Sequence, residues 1–422
     1  MYCSAEEALS LIKSNDRIYL QGSACTPNYL ANELAKRNGE LENVEVICMN
    51  VQGDIEIAKP GYEKSFYINA LFVSAPVREN INSGRGSFVP IFLSDIPDLF
   101  RNKRMPLDVA IIHVSEPDQH GNCSLGLSVD ITRAAVDSAK YIIAQVNPQM
   151  PRTHGDGVIH ISQIDKMVWH DTELMTVDYA SKVEEEEWQI GRNIAEIIDD
   201  RSTLQMGVGT IPDAVLKCLN NHKDLGIHTE MLSDGVIDLI KNGVVNNKYK
   251  KIHQNKNVTS FCFGTRKLYD FVDDNPAFIF LDVDYTNDPR VIRRNPKMVA
   301  INSAVEIDLT GQICSDSIGS YHYSGIGGQV DFMRGAALSE GGKAIIAVTS
   351  RTKKGVPRIT PFLKEGAGVV TTRGHIHYVA TEYGIVDLHG KNFQQRAKAL
   401  ISIAHPDDRE MLEKAAFERF KI

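Results

Sequence analysis

A single carboxylate, Glu230, stands in the run Gly226-Ile227-His228-Thr229-Glu230-Met231-Leu232-Ser233-Asp234-Gly235. Leu225 and Ile227 lead into it as an apolar stretch. Ser-Asp-Gly turn chemistry follows at once, ahead of a helical pattern over 236–240. This arrangement predicts a carboxylate at the carboxyl edge of a parallel strand, where open α/β sheets hold their reactive groups. A glutamate so placed can be a base, a metal ligand, a charge that favours the next helix start, or a nucleophile that forms a covalent acyl link.

Two glycine-rich turns narrow the choice. Gln205-Met206-Gly207-Val208-Gly209-Thr210-Ile211-Pro212 reads as a strand-to-helix turn whose backbone can approach a ligand and whose free N–H groups suit an anion. It is half of a dinucleotide fingerprint: the third glycine is missing, so an NAD site is a weak reading. Gly325-Ile326-Gly327-Gly328-Gln329 is a second such turn before a helix. Two permissive turns and a strand-end carboxylate would place a nucleophile beside a backbone oxyanion hole. The thirteen histidines do not form a metal set: His154 and His160 lack H-x-x-x-H spacing. His375-Ile376-His377 is read as alternating along a strand, with no third ligand near. No G-x-S-x-G elbow supports a serine triad. Cys25, in a Gly/Ser/Thr/Pro turn with no basic neighbour, is read as a turn residue.

The elements that must hold these groups alternate strand and helix. Strands are expected at 17–21, 44–49, 109–114, 141–146, 344–348 and near 385–390. Helices are expected at 28–35, 131–139, 394–403 and 408–420, and 298–309 reads as one long strand that turns at Thr310-Gly311 and returns through Ile313. That alternation implies an α/β architecture with a largely parallel sheet. At 422 residues, 43% hydrophobic and 24% charged, the chain is a globular protein of more than one domain. A formal net charge of -8 argues against nucleic-acid or anionic-membrane partners. Seven scattered cysteines without a CxxC pair, an acidic amino terminus and no apolar stretch of about 20 residues imply no membrane partner and a cytoplasmic location.

The acidic run Glu184-Glu185-Glu186-Glu187 interrupts the pattern, followed by an amphipathic stretch through Ile190, Ile194, Ile197 and Ile198. A faint repeat crosses it. Asp16-Arg17-Ile18-Tyr19-Leu20-Gln21 leads to a turn, Thr26-Pro27 and a helix; Asp200-Arg201-Ser202-Thr203-Leu204-Gln205 leads to a turn, Ile211-Pro212 and a helix. Two related α/β domains are therefore expected, 1–183 and 184–422, with the site between them and Glu230 in the second.

Taken together, Gln205 to Pro212, Gly226 to Asp234, Ser324 to Phe332 and Thr381-Glu382-Tyr383-Gly384 resemble a family I coenzyme A transferase. Within that group the chain resembles the 4-hydroxybutyrate and butyryl-CoA:acetate enzymes of the acetyl-CoA hydrolase/transferase family. Ser115 to Gly121 and Asn147 to Ile161 extend the resemblance over nearly the whole chain. It implies two open-sheet domains of the CoA-transferase (NagB/RpiA-like) type, Glu230 as the residue that becomes a glutamyl-CoA thioester, and Gln205, Met206, Gly207, Val208 and Gly209 as the CoA-contacting turn. Val305, Gly328 and Lys353 would also touch CoA. Backbone N–H groups near Val208 and Gly328, with Gly327 beside them, would stabilise the oxyanion, and Glu382 would be a supporting carboxylate. It ties the choice of acid to the surroundings of Asn287-Asp288-Pro289 and Thr153-His154-Gly155-Asp156. It further implies ping-pong transfer of CoA from 4-hydroxybutyryl-CoA or butyryl-CoA to acetate, no metal or permanently bound cofactor, coenzyme A as substrate, and a homodimer or higher homo-oligomer. An acetyl-CoA hydrolase using the same intermediate and a non-catalytic CoA or sugar-phosphate sensor are the alternatives.

Overall fold

The computed structural model describes residues 2–421. The chain divides into two compact units, the first comprising 1–177, 258–286 and 322–327 and the second 178–257, 287–321 and 328–422.

The first unit is built on seven strands: β1 (Arg17–Leu20), β2 (Val44–Met49), β3 (Phe66–Phe72), β4 (Ser87–Phe88), β5 (Val109–Val114), β6 (Tyr141–Val146) and β7 (Lys166–Trp169). They run in the order β4-β3-β2-β1-β5-β6-β7, and every pairing is parallel. Parallel strands need covering on both faces, which explains why all six residues of β5 are buried. On one face Ile18, Leu20, Val46, Ile68 and Ile111 form a core with Leu30 and Leu34 of the helix Asn28–Ala35 and Val77 of the helix Ala75–Asn82.

The second unit carries β8 (Thr203–Met206), β9 (Gly226–Ile227), β10 (Met298–Asn302), β11 (Lys343–Ala347), β12 (Tyr378–Thr381) and β13 (Gly384–Asp387), in the order β9-β8-β10-β11-β12-β13. Only the β12–β13 pairing is antiparallel. Met298, Ala300, Ala344 and Ile346 pack with Phe332 and Met333 of the helix Gln329–Leu338 and with Leu400 and Leu412 of the two C-terminal helices. In each sheet the first strand is flanked on one side by the second and on the other by a later one. Its carboxyl end is thus a switch point, where a crevice opens for ligands.

The two copies of D-R-x-x-L-Q occupy that strand in both units, and their glutamines do the same work. Gln21 Oε1 accepts from His113 N of β5 (2.7 Å), while Gln205 Oε1 accepts from Asn302 Nδ2 of β10 (3.0 Å). Each buried amide braces the first strand to its neighbour across the switch point.

Two expected elements differ. The long strand over 298–309 is broken into β10 and Glu306–Asp308, because the chain leaves the sheet after Asn302. The return through Ile313 is present, with Ile307 opposite Ile313 in an antiparallel pair. Asp308 Oδ1 closes the turn by accepting from Thr310 N, Thr310 Oγ1 and Gln312 N. His375 lies in a turn ahead of β12, not on a strand, and is capped by the Thr372 hydroxyl (2.8 Å). His377 meets His389 ring to ring (Nε2 to Nδ1, 2.8 Å). Among the described residues no helix is long and apolar enough to cross a membrane, and no group of three or more His, Cys, Asp or Glu could hold a metal ion.

Candidate active site

Glu230 follows β9 at a bend, partly buried, one residue before the short strand Met231–Leu232. Its carboxylate meets a side-chain amide and a stretch of backbone. Asn287 Nδ2 donates to Oε2 at 2.7 Å, and the same amide nitrogen lies 3.4 Å from Asp331 Oδ2. The stretch of backbone is that at Gly328. A Cβ at that position would stand 1.7 Å from Glu230 Oε2 and 2.1 Å from Asn287 Nδ2, so only glycine lets the main chain come this close. Gly328 is the N-cap of the ten-residue helix Gln329–Leu338, so Glu230 lies near the positive end of that helix dipole. The arrangement suits negative charge that builds on a glutamyl carbonyl oxygen.

The glycine-rich turn is joined to the same segment. Thr229 Oγ1 lies 3.3 Å from both Met206 N and Met206 O and donates to Met231 O at 2.8 Å. Four residues past the turn's last glycine, Asp213 accepts from Ser233 Oγ. Burial pushes the Asp213 carboxyl up to about 6, against the pull of that hydrogen bond. Gly209 has φ +126° as the N-cap of the helix Thr210–Cys218, a conformation that L side chains rarely adopt. Gln205 and Met206 are buried within β8, so the part of this turn that lines the crevice is Val208 and Gly209.

From that turn a groove runs along the carboxyl edge of the second sheet. A crevice of about 170 Å³ is lined by Val208, Gly209, Ser303, Ala304, Val348 and Arg358 among others. It shares Glu187, Thr349 and Arg358 with a larger one of about 370 Å³ that takes in Ser350, Lys353, Glu382, Tyr383 and His405. Val208, Gly209, Lys353 and Glu382 of this wall are among the residues that the family resemblance singles out. Lys353, not Lys354, lines the groove, and its ammonium is raised by its bond to Glu184 (2.6 Å). Glu382 accepts from Ser350 N and Ser350 Oγ and so shapes the 350 loop. Val305 donates its N–H to Cys314 O (2.8 Å) beside the groove residue Ala304. Gly327, with φ +58°, belongs to the first unit, where its carbonyl accepts from Leu93 N at 3.0 Å.

Three contributors escaped the sequence reading. Asn287, whose surroundings the resemblance ties to the choice of acid, donates its amide to Glu230. Asn302 pairs with Gln205, and Glu187 of the acidic run accepts from the Thr210 hydroxyl. That run is also a helix start: Glu184 and Glu187 form a capping box on the helix Glu185–Ala195. Cys25 is fully buried and its thiol is pushed up, in keeping with a structural turn residue.

Comparison with known proteins bears on the same groups. Residues 2–178 match the acetyl-CoA hydrolase/transferase N-terminal domain and residues 264–416 the corresponding C-terminal domain. Glu230 and the 205–209 turn lie between these two matches, but full-length relatives span them. The 4-hydroxybutyrate coenzyme A transferase of Clostridium kluyveri is 50% identical over 418 residues, 99% of this chain and 97% of that one. The succinyl-CoA:acetate/propanoyl-CoA:succinate CoA transferase of Fasciola hepatica is 50% identical over 429 residues, covering 99% of this chain and 88% of its own. The crystal structure of 4-hydroxybutyrate CoA-transferase from Porphyromonas gingivalis superposes with a TM-score of 0.85 at 40% identity, over 99% of this chain and 98% of that chain.

Proposed function

The chain belongs to the acetyl-CoA hydrolase/transferase family and is an enzyme of the CoA-transferase kind, and we propose that it moves CoA between a short-chain acyl-CoA and acetate through a thioester on Glu230. The observation that carries this reading is the seating of one carboxylate oxygen against an amide donor and a glycine at a helix N-terminus.

The chemistry follows from those groups. The Glu230 carboxylate attacks the acyl-CoA carbonyl and expels CoA thiolate, leaving a mixed anhydride. The thiolate then attacks the glutamyl carbonyl, which releases the first acid and leaves glutamyl-CoA. Acetate attacks that thioester, again expelling thiolate, and the thiolate takes the acetyl group from the second anhydride to free Glu230. Each addition places negative charge on a carbonyl oxygen. For the glutamyl carbonyl, the Asn287 amide already donates at that position, so little reorganisation is needed there during reaction. The groove from Val208 to Lys353 supports a CoA-binding role for its walls, and binding there can be used at the distant thiol end. The 50% identity to a 4-hydroxybutyrate enzyme supports 4-hydroxybutyryl-CoA or butyryl-CoA as donor. Free cysteines throughout the chain support a cytoplasmic setting, and a homo-oligomer is the working assembly in this reading.

The test is chemical. Protein incubated with acyl-CoA and then reduced with borohydride should be modified at Glu230 alone, and Glu230→Gln should lose both the modification and transfer. Label at another residue ends the assignment. Initial rates at several fixed acetate levels should give parallel double-reciprocal lines. A rate of thioester loss that ignores acetate would instead identify a hydrolase.

A further inference from the structure

β9 is the edge of the second sheet, and Glu230 is reached through it. Its inner side is paired: Gly226 N donates to Ser202 O and His228 N to Leu204 O, both toward β8. Ile227 alternates with them and turns both its N–H and its C=O outward, where an edge strand would present bare backbone. Two side chains take the place of the missing strand. Asn247 Oδ1 accepts from Ile227 N at 2.8 Å, and Lys250 Nζ donates to Ile227 O at 2.7 Å. Asn247 is itself held by donation to Asn257 Oδ1 (2.8 Å), and Lys250 also donates to Lys256 O (2.7 Å). The loop supplies backbone as well, since Asn246 N and Asn247 N both donate to Leu225 O.

The fit is specific on three counts. Asn247 and Lys250 are 3% and 2% exposed, so neither is a surface lysine or amide that happens to fold over. Lys250's two described acceptors are both main-chain carbonyls, and burial lowers the amine to about 7. Gly226 is shaped to the stem of that lysine: a Cβ there would come 2.8 Å from Lys250 Cγ and 2.9 Å from Cδ.

We propose that Lys250 and Asn247 are positioning residues of the transfer reaction, gripping the outward peptide of Ile227 so that the strand delivers Glu230 to Asn287 and Gly328 in register. The proposal rests on Glu230 being the nucleophile. Only His228 and Thr229 separate the gripped Ile227 from Glu230, and a displacement of about 1 Å at a reacting group is enough to cost roughly a hundredfold in rate.

Three variants test it: Lys250→Met, which keeps the stem and removes the donor; Asn247→Ala; and Gly226→Ala, which displaces the stem without touching the amine. For each, the fraction of protein that forms borohydride-trappable glutamyl thioester is titrated, and kcat is expressed per titrated site. The expected result is a fall in kcat per site of roughly tenfold to a hundredfold, with KM for acyl-CoA within about twofold of the parent. Should Lys250→Met fail to fold, the other two carry the test. An unchanged kcat per site, with all loss in the number of titratable sites, would mean that the clamp only stabilises the fold, and overturns the proposal. Absence of trappable thioester in the parent protein would instead overturn the premise about Glu230 and the proposal with it.

Discussion

The amide of Asn287 is wedged between two carboxylates, and that decides which of its atoms faces Glu230. Its Nδ2 serves both acids, whereas Oδ1 has no hydrogen-bond partner among the described residues. A flipped amide would set a carbonyl oxygen against carboxyl oxygens on both sides, so the donor is fixed by its surroundings. Asn287→Ala should therefore lower kcat by about 10²–10³, the cost of losing one oxyanion donor, with little change in KM for acyl-CoA. Asn287→Asp should be at least as damaging, because it adds a third acid to the cluster. Steady-state kinetics on folded variants checks both, and an Asn287→Ala enzyme within threefold of the parent would remove Asn287 from the machinery. Gly328→Ala meets a harder limit, since its methyl would overlap Glu230 Oε2. Activity should fall more than a hundredfold while the circular dichroism spectrum stays that of the parent. The place of Glu230 just past a strand of the parallel sheet is legible in sequence, because an apolar run followed by turn chemistry is a local pattern. The place of Asn287 is not, since it lies 57 residues away and nothing in its own neighbourhood marks it as a donor to that acid.

Elements carried the sequence reading furthest where their pattern was continuous. Asn28–Ala35, Val44–Met49, Val109–Val114 and Tyr141–Val146 are found with the bounds that periodicity predicts. It failed where side chains, not periodicity, set the ends. The strand after Met298 stops at Asn302, whose amide turns to Gln205, and the His375 turn is stabilised by Thr372. The helix Thr210–Cys218 shows how such local bonds tie elements into a site, since Asp213 on its first turn holds Ser233 beyond Glu230. The sign of its pH effect is set by the raised carboxyl. The folded state keeps its proton up to about 6 while the unfolded chain releases it near 3.8, so this group's contribution to stability falls as pH rises through that window. Asp213→Asn keeps the acceptor for Ser233 and abolishes the titration. The melting temperature of the variant relative to the parent should climb between pH 4 and 6 and then level off, reflecting on the order of 2–3 kcal/mol. A difference that stays flat across that range would show that Asp213 does not titrate there.

At the scale of the whole molecule, proximity in space does not follow the order of the chain. The first unit recruits 258–286 and 322–327, and its own turns are built around that recruited backbone. Phe280 is fully buried, its carbonyl accepts from Asp156 N, and a Cβ at Gly155 would meet that carbonyl at 2.2 Å. Ser260 O accepts from Val129 N and Asp130 N, and Leu127 O from Cys262 N. A fragment ending at residue 183 lacks every one of these partners. It should be soluble only as a loosened state that binds a hydrophobic dye and melts without a cooperative transition. A sharp calorimetric transition for 1–183 would show that this segment is a domain in its own right. Periodicity within a segment predicts its elements, but it holds no record of which distant loop will cover them, and so a boundary near 183 was all that chain order could suggest.

The same recruitment has a bearing on how the molecule is made. A ribosome releases the chain from its amino end, and the usual benefit is that an early unit closes before later residues can interfere. Here the early unit must wait for residue 327. At 5–20 residues per second the interval between residues 177 and 327 lasts roughly 8–30 s. Throughout it, the turns at 127–130 and 154–156 lack the backbone they close on, and the surface they form stays exposed on the nascent chain. Yield in a cell is therefore set by what shields that surface during translation, as much as by the stability of the finished enzyme.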